Sequence, residues 1–339
     1  MIKEGIEQLV NRRNLTSEDS EQIMKEIMSG EATPSQISAF LTALRMKGET
    51  IEETVSLIQV MKQFSTKIKP KVSSRILDIV GTGGDTIKTI NVSTTAALIA
   101  AGAGVTVAKH GNRSFTSKCG AADILERFGV NLSAEPNLIK KSIETIGIGF
   151  LFAPIYHPSM KHVAAPRREI GIRTVFNILG PLTNPAGADA QLVGVYDISL
   201  VEPIANVLAK LGLKEALIVH GLDGLDEIST IGTTSAAWLK EGEVKMMQFE
   251  PSDFGVKKAK PEDLIGNNID GNAEFIFKIL NCHPEGNNRC KDLVLVNAAA
   301  SIVVGGLASN IMEGMTLARE SIESGAAYEK LKAIVNISE

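Results

Sequence analysis

The 339 residues carry 35 Lys and Arg against 39 Asp and Glu, a formal charge of −4, with 44% hydrophobic and 4% aromatic residues. The length suits about two domains. The composition excludes a disordered chain and offers neither the positive charge nor the stacking rings that would hold nucleic acid. Three Cys imply no disulfide framework, and the N-terminus has no secretory apolar region, so the expectation is a cytoplasmic protein. The most apolar windows, 96–108 and 293–307, are short and broken by small residues, so no membrane span is expected.

Residues 1–65 read as helices only. Ser17 to Met28 forms one, with Ile23 and Ile27 on its apolar side. Thr33-Pro34-Ser35-Gln36 is a capping box with Pro at the first helical position, and Ile37, Phe40, Leu41 and Leu44 follow as one stripe. Gly48 ends that helix. Thr50-Ile51-Glu52-Glu53 opens another, with Val55, Ile58 and Met61 on one face. Helices this short must bury their stripes against each other or against a partner chain. Residues 67–71 are charged, contain Pro70 and read as a linker.

After the linker the pattern becomes α/β. Strands are expected at 75–80, 104–108, 149–153, 192–195 and 216–220, with helices at 92–101 and 121–129 between them. Strands alternating with helices imply a mostly parallel sheet covered on both faces. An antiparallel pair fits 235–239 and 243–248, and helices fit 292–305 and 310–323.

Gly81-Thr82-Gly83-Gly84-Asp85 directly follows the first strand, and Asn91-Val92-Ser93-Thr94 opens the next helix. Three glycines in four residues let a ligand approach the backbone, and the helix start with Asn91 as N-cap offers an anion its free amides. The loop equally suits a tight strand-to-helix turn. Lys109-His110-Gly111-Asn112-Arg113-Ser114 follows the second strand and would bring two cations to the same rim, where they suit a pyrophosphate, or else forms a solvated basic loop. Asp223, Asp226 and Glu227 follow the strand at 216–220 and suit Mg²⁺, or else form a solvated Asp-Gly turn. Arg167, Arg168 and Arg173 give either a basic solvent face or a seat for an anionic second substrate, and residues 177–185 form a rigid loop. No nucleophilic triad is legible. Cys282, His283 and Cys290 fit no zinc spacing, and Cys119 reads as a packed thiol.

Taken together, GTGGD at 81–85, NVST at 91–94, KHGNRS at 109–114, HPSMKHV at 157–163, RREIGIRT at 167–174, FNILGPLTNP at 176–185 and the acids 226–227 resemble the anthranilate phosphoribosyltransferase family in order and spacing. The resemblance spans nearly the whole chain. It implies a small helical domain, residues 1–70 joined by about 158–182, and a large α/β domain, 71–157 and 183–339. It implies homodimers formed through the helical domain. It implies phosphoribosyl pyrophosphate at Gly81, Gly84, Asp85, Thr89, Asn91, Val92, Ser93, Thr94, Lys109, His110, Gly111, Asn112, Arg113, Ser114, Ser117 and Ala121. Mg²⁺, as two ions per subunit, is implied at Ser93, Asp226 and Glu227. Anthranilate is implied at Gly81, Asn112 and Arg167, with His110, Pro154 and Met160 lining its approach.

The activity implied is the second step of tryptophan biosynthesis, transfer of the phosphoribosyl group to the amine of anthranilate. That amine is already unprotonated at neutral pH, so no strong base is demanded. The family has Ser where this chain has Ala121, at a helix start whose amides, with that of Gly120, are expected to face the pyrophosphate. Two alternatives remain at this point: a pyrimidine-nucleoside phosphorylase and a non-enzymatic relative that binds nucleic acid.

Overall fold

The computed structural model describes residues 1–84, 87–114, 119–266, 268–282 and 288–337. Four helices lead: α1 (Ile2–Val10), α2 (Ser17–Ser29), α3 (Pro34–Lys47) and α4 (Ile51–Gln63). Both expected capping boxes form, Thr33 with Gln36 and Thr50 with Glu53. The second also closes the bundle. The fully buried Glu53 accepts the Leu15 amide at 2.9 Å and faces the Lys47 ammonium at 2.8 Å. A buried carboxylate requires such partners, and here they tie the α1–α2 loop to both ends of the α3–α4 turn.

The rest of the chain runs β1 (Ile76–Gly81), α5 (Val92–Ala103), β2 (Thr106–Gly111), α6 (Ala121–Arg127), α7 (Pro136–Ile146), β3 (Ile148–Phe152), α8 (Ala153–Tyr156), α9 (Lys161–Ile170), α10 (Phe176–Leu179), β4 (Ala190–Gly194), α11 (Val201–Lys210), β5 (Glu215–Gly221), β6 (Thr234–Lys240), β7 (Glu243–Phe249), α12 (Ile269–Leu280), α13 (Asn288–Val304), α14 (Ile311–Glu323) and α15 (Ala326–Ile337). The strands form one sheet in the order β3-β2-β1-β4-β5-β6-β7, with β1 to β5 parallel and the last two antiparallel. This is the small helical domain plus α/β domain that the sequence implies.

Period-two alternation divides the core between the faces of the sheet. Leu77, Ile79, Leu192 and Leu217 pack under α5, α13 and α14. Val80, Val193 and Ile218 point the other way, into a cluster that continues through α11 into α2, α3 and α4. The helical bundle therefore shares its core with one sheet face. Helix α9 packs on α2 and α3.

Residues 67–71 form neither helix nor strand between α4 and β1, and this connection is packed down rather than loose. Ile68 is buried and its amide donates to the Pro185 carbonyl at 3.1 Å, while the Thr66 amide donates to that of Tyr156 at 2.8 Å. Alternate apolar residues and available carbonyls bind this charged stretch down. Strand β2 also runs past its expected end at 108, so Lys109 and His110 lie on the strand itself. Among the described residues no helix is long and apolar enough to cross a membrane.

Candidate active site

The sheet order reverses at β1 and β4: β2 lies on one side of β1 and β4 on the other. In open α/β sheets a ligand crevice forms beyond the carboxyl ends of such a strand pair. Gly81 and Gly194 end these strands and are register partners. The turn carrying Asp226 passes directly over both. A Cβ on Gly81 would lie 2.7 Å from Asp226 Oδ2, and one on Gly194 only 1.5 Å from the Asp226 carbonyl oxygen. Asp226 Oδ2 accepts the Gly83 amide at 2.9 Å, and Thr82 donates its own amide to the Gly194 carbonyl at 2.9 Å. Gly83 and Gly84 have φ of +65° and +92°, a conformation that glycine adopts without strain. Asp85 lies outside the described residues.

Lys109 reaches into this crevice from β2. Its buried ammonium donates to the Ile79 carbonyl at 2.6 Å and to Ser93 Oγ at 3.3 Å, within the fields of Asp78 and Glu227. Burial lowers its pKa to about 8, against the pull of the two carboxylates. Ser93, Lys109, Asp226 and Glu227 are thus brought together. Asp78 had no assigned role in the sequence. It is fully buried, and burial pushes its pKa up to about 6 although Asn184, Lys109 and the His110 amide all oppose the shift. Its Oδ1 accepts that amide at 3.0 Å. The signal for it was a lone carboxylate inside the apolar run RILDIV.

The His110 ring lies 5.1 Å from that of His157. Burial holds both neutral, lowering His110 to about 3 and His157 to about 4. Neither Nε2 has a hydrogen-bond partner among the described residues. His157 sits within a quoted motif, but nothing in the sequence paired it with His110.

Asn91 occupies the N-cap position of α5 without capping it. Its side chain instead donates to the Cys119 carbonyl at 3.1 Å and accepts from the Cys119 thiol at 3.2 Å, which corrects the capping expectation. The helix start is therefore not closed by its own side chain. Val92 and Thr94 are buried beside Ser93, and Thr89 bridges to Ile265. Asn112 and Arg113 are exposed, and Gly111 and Ser114 half-buried, on the segment leaving β2. The Arg113 guanidinium pairs with Asp123 at 2.9 Å and Glu126 at 2.7 Å on α6. Gly120 and Ser114 both donate their amides to Asp123 Oδ2, so the expected pyrophosphate-facing amide of Gly120 is already occupied by the first turn of α6. Ala121 follows it as the first residue of α6. Ser117 lies outside the described residues.

Of the residues implied for anthranilate, Gly81 ends β1, His110 and Asn112 lie at the end of β2, and Pro154, Met160 and Arg167 fall on the segment between β3 and α10. Pro154 is exposed at the start of α8, and Met160 is half-buried just before α9. Arg167 lies in the last turn of α9, half-buried, with its guanidinium 5.5 Å from the centre of the Phe176 ring. Cys290 is buried and Cys282 exposed, as core and surface residues; His283 lies outside the described residues. Cys119 is half-buried, with a thiol raised by burial.

The helical bundle domain of a glycosyl transferase family matches residues 3–65, and the a/b domain of the same family matches 73–328. The anthranilate phosphoribosyltransferase of Acetivibrio thermocellus is 48% identical over 338 residues, spanning 100% of this chain and 97% of its own. That of Persephonella marina is 46% identical over 336 residues, 98% of each. The crystal structure of the Thermus thermophilus enzyme superposes with a TM-score of 0.92 at 39% identity, covering 98% of this chain and 99% of the other. The Saccharomyces cerevisiae enzyme in complex with PRPP and Mg gives 0.90 at 30% identity, covering 99% and 97%.

Proposed function

The chain belongs to the anthranilate phosphoribosyltransferase family, and on that premise we propose that it transfers the phosphoribosyl group of 5-phosphoribosyl 1-pyrophosphate to the amine of anthranilate, releasing pyrophosphate and N-(5-phosphoribosyl)anthranilate. The observation that supports this most is the meeting of Gly81, Ser93, Lys109 and the acids 226–227 at the switch point of the sheet.

The donors suit Mg²⁺. Asp226, Glu227 and Ser93 offer hard oxygens, too few by themselves to fill an ion's shell. That fits an ion, or two, sharing its shell with substrate phosphates and water. Bound there, Mg²⁺ supplies positive charge to the departing pyrophosphate. The chain's own residues do the rest. Lys109 is a desolvated ammonium held in place by a carbonyl and a hydroxyl, so it stabilises developing negative charge strongly. The start of α5 adds its dipole. Arg113 reaches a pyrophosphate only by exchanging its carboxylate partners on α6. Arg167 is the cation for the carboxylate of anthranilate, beside the approach lined by His110, Pro154 and Met160. With the amine unprotonated, alignment of amine and ribosyl carbon is the main remaining task.

The same reading gives a cytoplasmic homodimer associated through its helical domain. Its test is the fluorescence of anthranilate, which should disappear only when protein, Mg²⁺ and phosphoribosyl pyrophosphate are all present. Persistent fluorescence together with phosphorolysis of a pyrimidine nucleoside would overturn it.

A further inference from the structure

Arg173 and Tyr196 grip the glycine loop from outside the contacts described so far. Arg173 Nη2 donates to the Gly84 carbonyl at 2.8 Å, and its guanidinium lies 4.3 Å from the centre of the Tyr196 ring. Tyr196 is itself fixed to the loop, because its amide donates to Thr82 Oγ1 at 3.0 Å. A Cβ on Gly84 would lie 2.1 Å from Nη2, so the guanidinium rests directly against the loop backbone. Arg45 in the last turn of α3 and Glu49 in the α3–α4 turn lie within electrostatic reach of the Tyr196 hydroxyl, so this end of the helical bundle borders the same place.

We propose that Arg173 is a positioning residue for phosphoribosyl pyrophosphate: stacked on Tyr196, it fixes the Gly84 carbonyl and holds the loop in its binding shape. The proposal rests on the function assigned above. A planar guanidinium can stack on a ring and donate in the plane at once, whereas an ammonium is a point charge without a face. A loop already held in its bound shape loses less freedom when the ligand arrives, so releasing it weakens binding without removing a ligand contact.

The test is calorimetric titration with phosphoribosyl pyrophosphate and Mg²⁺, paired with steady-state kinetics. Arg173→Gln, Arg173→Lys and Tyr196→Leu should each weaken binding about tenfold and raise the KM for that substrate in step. The kcat and the KM for anthranilate should stay within about twofold, since neither reacting group is touched. Tyr196→Phe keeps the ring face and should bind like wild type. The double variant Arg173→Gln/Tyr196→Leu should be no worse than either single change, because both break one contact. Wild-type affinity in Arg173→Lys would show that charge alone matters and overturn the proposal, as would multiplied losses in the double variant. If Arg173→Gln melts early, Arg173→Lys and Tyr196→Leu decide the matter by themselves. A wild type that binds the ligand but leaves anthranilate unconsumed would overturn the functional reading, while the titrations still judge the clamp.

Discussion

On the proposed reading Asp226 has two tasks, and Glu227 has one. Asp226 holds the Gly83 amide, and its neighbours Leu225 and Ile228 are buried, so this turn is packed rather than loose. The charge of Glu227 acts on the Lys109 ammonium. Glu227→Ala should cut kcat by about a hundredfold or more at saturating Mg²⁺ while leaving the urea midpoint near wild type. Asp226→Asn, which keeps an acceptor for Gly83, should do the same. Near-normal turnover in Glu227→Ala would remove it from the metal site. The histidine pair makes a separate prediction about pH. The unfolded chain protonates both imidazoles below about pH 6.5, whereas the fold keeps them neutral down to about 3 for His110 and about 4 for His157. The unfolded state then binds more protons, so stability falls as pH drops through that window. Asp78 acts the other way: its pKa of about 6 lies above the unfolded value, so below pH 6 the fold takes up the proton first and gains. Between pH 7 and 5 each histidine should cost about 2 kcal/mol and Asp78 return about 1 kcal/mol, a net loss of about 2 to 3 kcal/mol. Urea unfolding at the two pH values measures it, and His157→Gln should remove most of one histidine's share. An unchanged slope in that variant would show that His157 is charged in the fold.

Among the elements, the pairing of β1 with β4 carries the strictest demand. A Cβ on Gly194 would lie 1.5 Å from a backbone oxygen, which no rotamer change can relieve, whereas one on Gly81 would meet only the movable end of the Asp226 side chain. Gly194→Ala should therefore displace the whole 222–227 turn, cost about 1 to 3 kcal/mol of stability and weaken binding of phosphoribosyl pyrophosphate with Mg²⁺ more than tenfold. Titration of Gly194→Ala with wild-type affinity would mean that the turn does not need this closeness. That demand was not legible in the sequence, since it joins residues 194 and 226 across two strands. What was legible had local signals. The capping boxes at Thr33 and Thr50 announced α3 and α4, and the apolar runs announced the parallel strands, because strands covered on both faces need no alternation. Helices α1 and α11 begin without a side-chain cap, so nothing local of that kind marked their starts, and α7 has only Pro136 at its first position. The same division holds at the site. Residue type beside a glycine loop singled out Lys109 and the acids at 226–227 as candidates, and the resemblance added Ser93. The choice of Arg113 for α6, of Asn91 for Cys119 and of Arg173 for Tyr196 depends on packing between distant segments.

For the molecule as a whole, the shared core decides where the second subunit of the proposed dimer could sit. The stripe on α3 needs no partner chain, because Phe40 and Leu44 are 1% and 0% exposed within a cluster that runs from the bundle through α11 to the sheet. Phe40→Asp or Leu44→Glu should therefore destabilise each chain by about 3 to 5 kcal/mol, a loss independent of protein concentration because it arises within one subunit. The apolar groups left for a dimer on the packed pair α1 and α3 are Val10 and Met46, 67% and 68% exposed near the ends of these helices. Val10→Glu with Met46→Glu should yield monomers by analytical ultracentrifugation. The intrinsic unfolding of each subunit should be unchanged, and any drop in the melting temperature should vanish on dilution, where the wild type dissociates too. Those monomers should still bind phosphoribosyl pyrophosphate, because Gly81, Ser93, Lys109, Asp226 and Glu227 all come from one chain. A dimer as tight as wild type in the double variant would move the interface off these helix ends. Monomers that no longer bind would instead show that association across the bundle is needed to hold the crevice in shape.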